Sequence, residues 1–336
     1  MTSSPPVEYL QNTLVSSEPQ LLCWRCRSAV TAFTSDGAEH VSHHHCRQCG
    51  AITICRSGIW RCLSPQQITR YERFIREYES VREAEGRGSS GSAYYLALPY
   101  RDLSGRMSSQ WEVRARTFDA LKRHILVSRA QLSGKPLRIL DLGAGNGWLS
   151  YRLTCLGHAP TAVDLLTNIR DGLGAAANYG PHLPRIFPRV QAALENLPFP
   201  SGDFDLAIFN ASFHYAQDYR QTLGEALRCL RPGGCVIVSD TPWYAREESG
   251  GAMVEEKRAR FQQLYGFPSS SIPSLEFLTP ERLDSLAVHF HLEWQSVAPF
   301  YGIGWALRPL LAQLRGRRKP SQFRIYVAEV PAGSPR

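Results

Sequence analysis

Residues 137–147, LRILDLGAGNG, limit what this chain can become more than any other stretch. A short apolar run with no polar face reads as a strand buried on both sides of a sheet. It ends on Gly143, Gly145 and Gly147, at every second position. Glycines so placed let the chain turn tightly and let a ligand approach the main chain without Cβ clashes. The spacing is GxGxG, not the GxGxxG of the dinucleotide fingerprint. Asp164 ends the next apolar stretch, 17 residues after Gly147. A carboxylate there can accept both hydroxyls of a ribose.

The text after Gly134-Lys-Pro136 alternates short apolar runs with helical patterns. Strands are expected over 137–142, 161–165, 189–193, 204–210 and 235–240, with closing strands over 292–298 and 323–330. A helix should start at about Trp148. This rhythm predicts an α/β fold with a doubly wound, mostly parallel, Rossmann-like sheet. Helices are also expected over 65–85 and 111–127, the second burying Trp111, Phe118, Leu121, Ile125 and Leu126. Tyr94, Tyr95, Tyr100 and Trp111 read either as an aromatic lid or as a seam between helices and sheet. The reading divides the chain into a loose tail (1–20), a cysteine-rich module (21–64), a helical cap (65–125) and a main domain (126–331), with a substrate-side insertion at about 244–290.

Six of the nine cysteines fall between Cys23 and Cys62. Cys23-Trp-Arg-Cys26 and Cys46-Arg-Gln-Cys49-Gly50 are two CxxC pairs separated by 19 residues. Each pair can set two thiolates on one tight turn, and two such turns complete a tetrahedral zinc shell. So short a segment cannot build much core, so the metal would serve as a structural staple. Cys23, Cys26, Cys46 and Cys49 are the preferred ligands, and His43, His44 and His45 are the competing donors. Cys55 and Cys62 are expected to face the interior of the following hairpin.

Two resemblances follow from these residues. The cysteine segment, with Gly58-Ile59 after it, resembles the N-terminal zinc ribbons fused to bacterial methyltransferases, one group of which methylates guanine in 23S ribosomal RNA. The usual Pro inside the first pair and Gly after it are replaced by Trp24 and Arg27. The glycine loop, Asp164, the segment from Glu195 to Asp205 and Leu230-Arg-Pro-Gly-Gly234 resemble, over about 137–240, the class I S-adenosylmethionine-dependent methyltransferases. Within them the type 11, ubiquinone-biosynthesis-like family is the nearest group. The resemblance implies that Asp141, Gly143, Gly145 and Gly147 surround the methionine end of that cofactor. It gives the ribose to Asp164 and the adenine to Leu165, Leu194 and Glu195.

Residues 210–215 should then face the transferring methyl group, with Asn210 beside the cofactor, His214 the general-base candidate and Tyr215 a substrate-orienting side chain. Ala211 and Ser212 replace the two prolines of amino-group methylases, which leaves an oxygen, carbon or ring-nitrogen acceptor. A net charge of +8 and the stretch Arg315-Gly-Arg-Arg-Lys319 admit an anionic partner such as RNA. Charged residues make up only 20% of the chain, which favours a small-molecule or lipid-linked acceptor over RNA. The intact loop argues against a non-catalytic scaffold. No run of 18 apolar residues occurs, and the first 20 residues carry no basic-then-apolar signal, so a cytoplasmic protein is expected. Oligomeric state leaves no mark in the sequence.

Overall fold

The computed structural model describes residues 19–30, 34–36 and 41–330. The expected tail lies almost wholly outside them. Strands β1 (Thr34–Asp36), β2 (Val41–His45), β3 (Ile52–Arg56) and β4 (Ile59–Arg61) come first, then helices α1 (Pro65–Ala84), α2 (Ser92–Ala97), α3 (Ser108–Leu121) and α4 (Val127–Ser133). The alternating part is β5 (Arg138–Leu142), α5 (Trp148–Cys155), β6 (Ala159–Asp164), β7 (Arg189–Gln191), β8 (Phe204–Asn210), α6 (Tyr219–Cys229) and β9 (Leu230–Ser239). It closes with α7 (Glu247–Tyr265), α8 (Pro280–Phe290), β10 (Gln295–Val297), α9 (Ile303–Leu314) and β11 (Ile325–Glu329).

All the strands share one sheet, in the order β1-β2-β3-β4-β7-β6-β5-β8-β9-β11-β10. The five pairings from β4 across to β9 are parallel, and β11 returns antiparallel to β9. This is the expected doubly wound, mostly parallel sheet. The hairpin after the second cysteine pair continues it: Trp60 of β4 sits opposite Val190 of β7. The pairing covers main-chain groups that a bare β7 edge would expose. Cys62, just past β4, is buried in the main core, whereas Cys55 is only half-buried.

Side-chain alternation explains the two layers of helices. Leu140, Leu142, Ala207, Phe209, Val236 and Val238 face a cluster with α6 and α8, while Ile139, Ile208 and Ile237 face Trp111, Phe118, Trp148 and Leu153. Strands buried on both sides need apolar residues at both parities, which is why they read as unbroken apolar runs.

Two expectations shift in detail. The helix expected over 111–127 is α3, a π-helical turn at Lys122–Leu126, and α4. The five apolar residues assigned to it are all buried, and the wider turn puts Ile125 and Leu126 side by side on the inner face. The strand expected from Cys235 begins at Leu230, which pairs with Phe204 before a bulge. The start of α1 follows its sequence closely. Ser64 and Gln67 form a reciprocal capping box, with Pro65 at the first helical position. Among the described residues no helix is long and apolar enough to cross a membrane.

Candidate active site

The four cysteines of the two CxxC pairs converge. Their sulfurs all lie within 4.8 Å of one another, with Cys23 and Cys49 at 3.7 Å and Cys26 and Cys46 at 3.4 Å. Four thiolates about 2.3 Å from a zinc ion would stand roughly 3.8 Å apart, so the donor set fits a tetrahedral metal. His43, His44 and His45 lie on β2 and are not part of the group. Ser28 Oγ is 3.1 Å from both Cys26 and Cys46 and supports thiolate charge. Arg27, where a glycine is usual, adopts φ 62° and strains the first knuckle. Its guanidinium donates to Asn196 Oδ1 at 3.0 Å, and Leu22 N donates to Pro198 O at 2.9 Å, which ties the knuckle to the main domain.

At the carboxyl ends of β5, β6 and β8 lies a cleft that is partly open to solvent. It sits where the chain order reverses between β5 and β8, the position at which open α/β sheets bind ligands. Gly143, Gly145, Asp164, Leu165, Leu194, Asn210 and Tyr215 all line it. Gly143 has φ 76°, and a Cβ there would stand 2.3 Å from Ser212 Cβ, so only glycine lets the loop pass.

Asp164 accepts from Gly145 N and Leu166 N, both at 2.8 Å, and still has lone pairs toward the cavity. Burial pushes its carboxyl up to about 6, against the pull of those two N–H groups. A half-buried carboxylate with acceptor capacity left beyond those two N–H groups fits a ribose diol.

Other expected residues lie elsewhere. Asp141 is buried and accepts from Ser150 N at 3.1 Å and Ser150 Oγ at 2.7 Å, so it caps α5 from below instead of reaching the cavity. Burial pushes its carboxyl up to about 7. Gly147 packs near Phe187 and Ala176, outside the cavity wall. Glu195 accepts from the Tyr71 hydroxyl of α1 and is not on the wall either. His214 is also off the wall. Its Nδ1 is shielded without a hydrogen bond among the described residues, and burial pushes the ring down to about 4.

The wall contains residues the sequence reading did not select. Phe74 and Tyr78 of α1 stand edge-on to Tyr215 at 6.1 and 5.7 Å. Arg82, one turn further, pairs with Asp171, which also accepts from Asn146 Nδ2 at 3.4 Å. Trp111 and Arg114 come from α3. Arg114 lies 4.7 Å over the Trp111 ring and has no hydrogen bond or ion pair among the described residues. Burial lowers its pKa, with Arg87 and Arg82 adding repulsion. Tyr94 and Tyr95 are buried in the seam, and Trp111 alone of that quartet reaches the cavity. The signal for α1 was present as Tyr71, Phe74 and Tyr78 at helical spacing, with Arg82 next on that face.

This arrangement is similar to that of class I S-adenosylmethionine-dependent methyltransferase domains. A family model described as a methyltransferase domain matches residues 140–238. Over 110 residues the chain is 34% identical to a malonyl-[acyl-carrier protein] O-methyltransferase of Erwinia pyrifoliae, covering 32% of this chain and 38% of that protein. Over 112 residues it is 34% identical to a demethylmenaquinone methyltransferase of Thermus thermophilus, covering 33% and 50%. The match thus spans half or less of either relative's length. The solved structure of the 1,6-didemethyltoxoflavin-N1-methyltransferase of Burkholderia thailandensis is similar at a TM-score of 0.46 and 15% identity, covering 90% of this chain and 100% of that one.

Proposed function

We propose that the protein is an S-adenosylmethionine-dependent methyltransferase acting on a small or lipid-linked acceptor with an ionised oxygen, with structural zinc on Cys23, Cys26, Cys46 and Cys49. In this reading Asp164 accepts from the ribose, Leu165 and Leu194 flank the adenine, and Gly143, Gly145 and Asn146 surround the methionine end. When bound, the cofactor supplies a methyl group on a positively charged sulfur that leaves as a neutral thioether. Asn210 and Tyr215 border the acceptor's side, and the Phe74–Tyr78–Tyr215 trio keeps water out.

The acceptor class rests on the cavity wall, where Arg114 is an unpaired cation. The wall holds no histidine, lysine or cysteine among the described residues, and its two carboxylates, Asp164 and Asp171, already accept from N–H groups. An acceptor that must lose a proton would find no base there. A carboxylate needs none: one oxygen can pair with Arg114 while the other attacks. The name of the Erwinia pyrifoliae relative describes an O-methyltransferase, which agrees. An RNA acceptor has less support, because Arg318 of the basic stretch is engaged by Glu256 at 2.6 Å.

S-adenosylhomocysteine should bind with a dissociation constant on the order of micromolar, and calorimetry without heat would overturn the enzyme reading. With labelled cofactor, small carboxylates and malonyl or succinyl thioesters should be methylated, and their preformed methyl esters should not. Arg114→Gln should lower that turnover roughly 10–100-fold, the worth of a charge-assisted hydrogen bond, and leave S-adenosylhomocysteine affinity unchanged. Equal loss of both would assign Arg114 to the cofactor's own carboxylate. For His214→Ala we expect turnover within about tenfold of wild type; a fall of roughly 10²–10⁴ would restore it as the base.

A further inference from the structure

Helix α9 is mounted with its apolar side outward. Its inner side is anchored: Trp305 stacks on Phe323 at 5.6 Å, and Arg308 donates to Ser321 O at 2.8 Å. The outer side presents Ile303, Leu307, Leu310, Leu311 and Leu314, from 42% exposed at Leu311 to 75% at Leu314, with Phe300 just before at 70%. Their spacing of three and four makes one stripe along the helix. A continuous apolar face of this kind on a protein surface marks something that covers it.

The charge around the stripe selects the cover. No Asp or Glu occurs between Trp294 and Ala328, whereas six cations do, of which Arg308 is on the anchored side and Arg318 is paired with Glu256 of α7. Arg315, Arg317 and Lys319 are exposed directly after the helix. A second copy seated on the stripe would bring these cations against their own kind. RNA would answer the cations and leave the leucines in water. We infer that α9 and the loop after it form a docking surface for an anionic phospholipid membrane, the leucine stripe entering the acyl boundary and the cations meeting phosphate headgroups.

The surface is connected to the cavity. Arg116 of α3 donates to Phe300 O at 3.2 Å, and Thr117 Oγ1 lies 2.9 Å from the Tyr301 hydroxyl. Arg116 and Thr117 lie two and three residues along α3 from Arg114. The segment that leads into the docking helix is therefore bonded to the helix that carries the proposed acceptor anchor, although docking itself does not depend on methyl transfer.

Co-sedimentation of the full chain with vesicles tests the inference, using phosphatidylcholine alone and phosphatidylcholine mixed with phosphatidylglycerol. Binding should require the anionic lipid and weaken with salt. L310E combined with L314E should reduce it about tenfold or more. Removing one cation with R317Q should cost about fivefold and flatten the salt dependence. Circular dichroism should be unchanged, since all three side chains are exposed. Failure to bind either vesicle, or leucine variants that bind like wild type, would overturn the proposal. So would a wild-type dimer in light scattering that L310E/L314E converts to monomer, or charge-dependent binding to poly(U) without vesicle binding.

Discussion

Cys46→Ser should purify without zinc, whereas the wild type should carry one zinc per chain, and the segment around the two knuckles should lose its structure. The knuckles' own cluster is Cys23, Cys46 and Ala51, with Trp24, Cys26 and Cys49 packed against them, while Leu21 and Val30 pack into the main core instead. Such a cluster cannot offset the entropy of ordering its own loops. Structural zinc in small modules supplies on the order of 10 kcal/mol, far more than those side chains, and a serine hydroxyl does not replace a thiolate ligand. The loss should stay local, because the sheet is packed from both sides by helices of its own, and the first knuckle meets them only at the rim, through Arg27 and Glu225 of α6 at 3.9 Å. Limited proteolysis should therefore open sites within residues 23–50 while helical circular dichroism changes little. The strain at Arg27, about 1 kcal/mol for a non-glycine residue in the left-handed region, adds to the dependence on the metal. Metal content near zero in freshly purified, reduced wild-type protein would refute the zinc assignment, and so would a Cys46→Ser protein that keeps both zinc and protease resistance.

The sequence made the sheet legible because its strands need apolar residues on both faces, and such runs are hard to mistake. The glycine loop and Asp164 were legible for a related reason: Gly143 passes Ser212 with no space for a Cβ, and Asp164 sits at the fixed end of a strand. Asp141 shows where the reading stopped short. It lies between Leu140 and Leu142, which face α6 and α8, so the pleat alone turns it to the opposite side, where α5 begins. Counting parity would have given Asp141 to the helix cap. Arg82 and Arg114 were not legible in that way. Each belongs to a helix placed against the loops by packing between residues far apart in sequence, and an arginine on a helix is more often a solvated one. Glu195 and His214 lie off the wall for a similar reason, because a loop's backbone can be anticipated without the direction of its side chains.

Ligand affinity should fall as the pH drops through about 6, and Asp164 should be the group responsible. Its carboxyl is raised from an ordinary value near 3.8 to about 6 by burial. A group raised in this way is partly protonated in the folded, ligand-free protein between those values. A ribose diol donates to the ionised form, so binding favours the carboxylate and releases a proton below pH 6. The sign follows: affinity for S-adenosylhomocysteine is full above about pH 7 and lost on acidification. Protonation at pH 5 would cost about tenfold. In the ligand-free protein the same raised value works in the opposite sense, since protonating Asp164 relieves an unfavourable buried charge. The thermal shift given by ligand at each pH therefore isolates binding better than the midpoint itself. Asp164→Ala removes the acceptor and leaves the N–H groups of Gly145 and Leu166 without a partner, and should weaken binding by roughly 1–3 kcal/mol at pH 7.5. Asp164→Asn keeps the size and one acceptor oxygen while abolishing the titration, so its affinity should be reduced and flat from pH 5 to 8. Calorimetry in buffers of different ionisation enthalpy reads the released proton directly. An affinity in the wild type that does not change between pH 5 and 7.5, or an Asp164→Asn protein that keeps the wild-type pH profile, would remove Asp164 from the ribose contact.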